Sequence, residues 1–127
     1  MFGNKEQVNL FPEVSGEKTF YIRNQKQTIR LDDNFLRIAR GGVMNAILHG
    51  FDGEKSILLN SITGYQLKEP GGTVGYLQVN YSGSQETKGG VSDAVKDENT
   101  ITFLAGDKEI ILEIKEAIEK AITSHDK

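Results

Sequence analysis

The last quarter of the chain, DKEIILEIKEAIEKAIT (107–123), is the stretch that most narrows the fold. Ile110, Ile111, Ile114, Ile118 and Ile122 recur at helical spacing and form one apolar stripe. Glu113, Glu116, Glu119 and Lys120 take the opposite face, with Glu116 four residues ahead of Lys120 in the favourable order. Asp107 is placed to cap the first turn. One helix cannot hide an isoleucine stripe by itself, so it must lie on a sheet or close the open end of one. The rest of the chain therefore has to supply that sheet.

It does so in short alternating runs. In KTFYIRN, Phe20 and Ile22 share a side, and in QTIRLDD so do Ile29 and Leu31. Asp32, Asp33 and Asn34 form a turn cluster, read as a solvated turn, before FLRIAR alternates again with Leu36 and Ile38 inward. EKSILLNSITGYQLKEP places Ile57 and Leu59 on one face, breaks at Asn60-Ser61, and continues with Tyr65 and Leu67 in a further strand. Pro70 and Gly71 occupy the central positions of an expected type II turn. VGYLQVNYS then sets Leu77, Val79 and Tyr81 against Tyr76, Gln78 and Asn80, and TITFLA turns Ile101 and Phe103 inward. Residues 82–99 are polar and glycine-bearing and read as a long loop. The expected class is α+β, mainly β: about seven antiparallel strands and one C-terminal amphipathic helix. Residues 1–16 read as a loosely ordered lead-in, 17–124 as the domain and 125–127 as a tail.

Several classes of function are disfavoured by composition. With 127 residues there is room for one domain. No cysteine is present, which removes disulfides, thiolate nucleophiles and Cys-ligated metals and suits a reducing, cytoplasmic address. A net charge of −3 gives no global pull toward nucleic acid, so no nucleic-acid partner is expected. The charge is uneven, however: residues 1–68 carry 9 Lys/Arg against 7 Asp/Glu, and residues 69–127 carry 6 against 11. The two histidines, His49 and His125, have no acidic pair at ligand spacing beside them, and no nucleophile-elbow spacing occurs. GGTVG (71–75) lacks the Lys-Ser/Thr ending of a phosphate loop and precedes a strand, not a helix. No catalytic residue, metal or cofactor is implied, and the chain reads as a non-enzyme.

Two groups of residues are candidates for binding. The apolar stretch GGVMNAILHGFDG (41–53) sits between glycines, and Val43, Met44, Ile47 and Leu48 fit one face of a short helical turn. With Phe51 they are the contact candidates, a role in core packing remaining the alternative; His49 reads as a turn residue. The second group is basic: Arg23, Lys26, Arg30, Arg37 and Arg40 fall on the first three strands and their turns. Gathered on one rim they would grip phosphate or an anionic lipid headgroup.

The segments LHGFDGEKSILLNSITGYQLKEPG, VGYLQV, DENTITF and EIKEAIEKAI resemble an uncharacterised group of bacterial and phage pleckstrin-homology-like domains. The resemblance runs from about Lys18 to Ile122. It is most specific at His49-Gly50-Phe51, Gly53-Glu54-Lys55, Ser61-Ile62-Thr63 and Asp97-Glu98-Asn99-Thr100. It implies two nearly orthogonal sheets in a half-open barrel with the helix plugging one end. Members of that group often precede a short helical SHOCT segment; this chain stops after the helix, as a free-standing phage or bacterial accessory copy would. The implied function is a scaffold for a protein partner or a second copy of the chain, with a membrane surface as the second choice.

Overall fold

Alternating β-branched and aliphatic residues form strands wherever a turn signal lets the chain reverse. A computed structural model describes residues 12–40, 53–81 and 99–124. Strands β1 (Lys18–Ile22), β2 (Gln27–Leu31), β3 (Phe35–Arg40) and β4 (Glu54–Leu58) make an antiparallel sheet in that order, here sheet A. Strands β5 (Ile62–Lys68), β6 (Gly75–Tyr81) and β7 (Thr100–Phe103) make sheet B, also antiparallel. Helix α1 (Lys108–Ser124) follows. This is the mainly β, two-sheet arrangement expected from the sequence, half-open and with one C-terminal helix.

Register follows the apolar pattern. Phe20 pairs with Ile29, Ile29 with Ile38, and Leu36 with both Leu31 and Ile57, so these side chains line one face of sheet A. On sheet B, Leu77 lies between Leu67 and Ile101, and Val79 opposite Tyr65. Ile111, Ile114 and Ile118 of α1 are buried in the same cluster, with Ile110 and Ile122 partly buried beside it. Leu67 is 39 % exposed, because it lies near the end of β5, an edge strand.

The connections show why strands end where they do. Lys26 takes a left-handed conformation (φ 51°), and its N–H donates to Arg23 O (3.2 Å), closing the β1–β2 turn. A one-turn 3₁₀ segment, Leu59–Ser61, carries the chain from sheet A to sheet B; Leu59 N–H donates to Asn34 O (2.8 Å). The β5–β6 connection is not the expected type II turn, since Gly71 and Gly72 do not have positive φ. The glycine that matters there is Gly75, where a Cβ would stand 2.4 Å from Lys68 O and 2.7 Å from Pro70 N. Asp107 does not cap α1 directly. It ends the 3₁₀ turn Ala105–Asp107, where its carboxylate accepts from Leu104 N–H (3.1 Å) and its own N–H donates to Leu104 O (2.9 Å). The ion pair along the helix is Lys115–Glu119 (3.2 Å), one residue from the expected Glu116–Lys120.

The largest departure from simple alternation is that part of the second face of each sheet is also buried. All of β2 is inaccessible, including Thr28 and Arg30, and so are Gln78, Thr100 and Thr102. Gln27 explains part of this. Its side-chain amide accepts from Thr102 N–H (2.8 Å) and donates to Thr100 O (3.1 Å), completing the outer edge of β7 as a partner strand would. Arg40, opposite Gln27 in the β2–β3 pair, donates to the same Thr100 O (2.9 Å), and Gln78 donates to Thr100 Oγ1 (3.1 Å). Sheet A is thus fastened to the free edge of sheet B through side chains. Gln78, expected to face outward, lies inside this network.

Candidate functional site

The five basic candidates do not gather on one rim. Arg30 is buried and holds two carboxylates at once: Nε lies 3.2 Å from Glu17, and Nη1 lies 3.1 Å from both oxygens of Glu54. Its third donor group reaches Pro12 O (2.5 Å). All three charged side chains are less than a tenth exposed, so Arg30 ties the segment before β1 to β2 and β4 and offers nothing to a ligand. Arg37 pairs with Asp32 (2.5 Å) and stacks over the Phe35 ring at 4.6 Å. Arg40 is engaged at Thr100 O. Only Arg23 and Lys26 are exposed, both on the β1–β2 turn.

Asp32 is equally committed. One carboxylate oxygen accepts from the N–H groups of Asn34 (2.7 Å) and Phe35 (2.9 Å), and the other from Arg37. Burial pushes its pKa up, yet the bond from Asn34, then Arg37 and Phe35, outweighs that and holds the carboxyl below its ordinary value. The Asp32-Asp33 turn is therefore solvated at Asp33 alone. Val43, Met44, Ile47, Leu48, His49 and Phe51 lie outside the described residues.

What the described residues do form is an open groove of about 980 Å³ beside α1. The helix is fastened over the barrel mouth at two points. Lys18 of β1 bonds Glu113, and Tyr65 of β5 donates its hydroxyl proton to Glu119. The bond to Glu113 first, and its charge second, raise the Lys18 pKa; Tyr65 and then Lys115 lower that of Glu119. The groove lies on the β1 side of the helix. One wall is Leu31 and Leu59, with Asp33 and Asn60 at the rim. The other is α1 itself, where Ala117 and Ala121, four residues apart, leave a shallow trough and Leu112 stands 48 % exposed. Glu109, Glu113 and Glu116 border it, with Lys18 and Lys120. Lys18 is bonded to Glu113 and also feels the charge of Glu116, and Asp32 is bonded to Arg37; Asp33, Glu109 and Glu116, and likewise Lys120, form no ion pair among the described residues.

The groove is thus apolar at its floor and acidic at its rim. Sequence reading did not mark it. One signal was present: Leu112 interrupts the polar face of the helix away from the isoleucine stripe. Its companions Leu31 and Leu59 read as ordinary core.

A family model described as Domain of unknown function (DUF4429) matches residues 29–119. The chain belongs to that family. The DUF4429 match runs from β2 into α1 and so takes in Arg30 and, of the groove, Leu31, Leu59, Leu112 and Ala117, while Arg23 and Lys26 precede it and Ala121 follows it. No curated protein and no solved structure matches the chain. No helix among the described residues is long and apolar enough to cross a membrane, and none of their acidic and histidine side chains cluster as a metal site.

Proposed function

We propose that this chain is a non-enzymatic binding module that holds a basic, leucine-bearing polypeptide segment in the groove beside α1. The reading rests on one observation: an open trough with Leu112 exposed at its lip and three unpaired carboxylates around an apolar floor. Exposed leucine area rewards an aliphatic side chain at about 25 cal/mol per Å² covered. The carboxylates select the flanking charge and raise the encounter rate. The half-open, two-sheet arrangement with its C-terminal helix supports a pleckstrin-homology-like scaffold role, and the resemblance in the sequence supports a bacterial or phage accessory protein. A headgroup site on the first strands has lost its support, because three of its five cations are engaged inside the protein.

The test is fluorescence anisotropy with a labelled peptide alternating lysine and leucine, against a glutamate–leucine peptide of equal length. The expected result is saturable binding of the basic peptide alone, weakened about tenfold or more by Glu109→Lys/Glu116→Lys and by Leu112→Asp. Equal binding of both peptides, or none of the basic one at about 1 mM, contradicts the proposal.

A further inference from the structure

The two ends of the β1–β2 hairpin carry opposite charge. At one end the Lys18–Leu31 pair borders the acidic groove. At the other, beyond the Ile22–Gln27 pair, the turn presents Arg23 and Lys26, both exposed and with no ion pair among the described residues. About 14 Å of strand separates the ends. The turn is held in shape: Lys26 N–H closes on Arg23 O, and Gln25 Oε1 accepts from the Thr102 hydroxyl (3.1 Å). Two cations are therefore displayed on a fixed loop, and three carboxylates without an ion pair among the described residues, against the single such cation Lys120, stand around a trough at the far end of the same hairpin.

We infer that the partner taken by the groove is a second copy of this chain, which inserts its Arg23–Lys26 turn. The inference rests on the groove's proposed role in binding a basic segment and names its occupant; the Arg23–Lys26 turn carries no leucine, so its apolar cover comes from side-chain stems. The methylene stems of Arg23 and Lys26 cover Leu112 and the alanine trough while their charged heads meet Glu109, Glu116 and Asp33. The surface that inserts is not the surface that receives, so the contact is heterologous and copies add head to tail. Contacts of this kind between exposed charges are weak and screened by salt, so the association is reversible and fades as ionic strength rises.

Charge reversal tests this directly. The Arg23→Glu/Lys26→Glu variant carries an acidic turn and an acidic groove, and the Glu109→Lys/Glu116→Lys variant carries a basic turn and a basic groove. In sedimentation at about 1 mM chain and about 0.02 M salt, the wild type should exceed the mass of one chain. About 0.5 M salt should abolish the excess. Each variant alone should sediment as one chain, and their equimolar mixture should recover the wild-type association. A monomeric wild type, or an oligomer that neither salt nor charge reversal alters, overturns the inference. Peptide binding by a wild type that stays monomeric would overturn the second-copy partner and leave the groove's binding role standing. Association that follows the charge pattern without any binding of free peptide would overturn the leucine-bearing segment of the proposed function and leave a second copy as the groove's occupant.

Discussion

Arg30 joins three distant parts of the chain through one guanidinium, which makes it the residue whose loss should be most costly. Arg30→Ala leaves Glu17 and Glu54 buried without a counter-charge, and breaking a buried pair in this way costs about 3–5 kcal/mol. Urea denaturation should show that loss as a lower midpoint at unchanged slope, and a change within about 0.5 kcal/mol would remove the clamp from the account. Asp32 gives a pH dependence of known sign. Its folded pKa lies below the ordinary value, so its contribution is present above the unfolded Asp pKa of about 3.9 and is lost as pH falls through the lower folded value. Asp32→Asn should therefore destabilise the protein at neutral pH by about 1–3 kcal/mol, with the penalty shrinking in acid, as thermal melts across that range would report. The turn at Asp32 was legible in the sequence; its pairing with Arg37 and the clamp at Arg30 were not. A charged residue in an alternating strand looks the same whether it faces water or two carboxylates, and nothing local links Arg30 to Glu17, 13 positions before it, or to Glu54, 24 after it.

The elements themselves were legible where a period governs them. The isoleucine stripe of α1, the inner face of β1 to β4 and the corner at Asn60-Ser61 all stand as the pattern implies. Readings failed where the deciding partner belongs to another element. Gln78 falls on the face opposite Leu77 and Val79, yet it is buried and donates to Thr100 Oγ1, beside the Thr100 carbonyl that Gln27 and Arg40 reach from β2 and β3. The β5–β6 turn was assigned to the wrong glycine, because the constraint is the approach of the Lys68 and Pro70 backbone to Gly75. Gly75→Ala should accordingly cost more than Gly71→Ala or Gly72→Ala, neither of which meets another atom within 4 Å. A difference of about 1–3 kcal/mol between them in chemical melts is expected, and equal costs would contradict the close approach. Ile114→Ala, at a fully buried position of the helix, should cost about 2–5 kcal/mol by the same measurement.

At the scale of the molecule, the helix closes the barrel mouth and is tethered on both flanks, to β1 through Lys18–Glu113 and to β5 through Tyr65–Glu119. The groove lies beside the Lys18–Glu113 tether, and the charge imbalance between the two halves of the chain reappears there as an excess of carboxylates, at the end of the β1–β2 hairpin opposite its basic turn. The same groove thus supplies both the binding site proposed for a basic segment and the receiving end of a head-to-tail contact. The most direct measurement is an NMR titration of the labelled protein with the lysine–leucine peptide, following backbone and methyl signals. Shifts should concentrate at Leu31, Leu59, Leu112, Ala117 and Ala121 and vanish in Glu109→Lys/Glu116→Lys. Shifts gathered on the exposed edge of β5, or left unchanged by that variant, would contradict the groove as the binding surface.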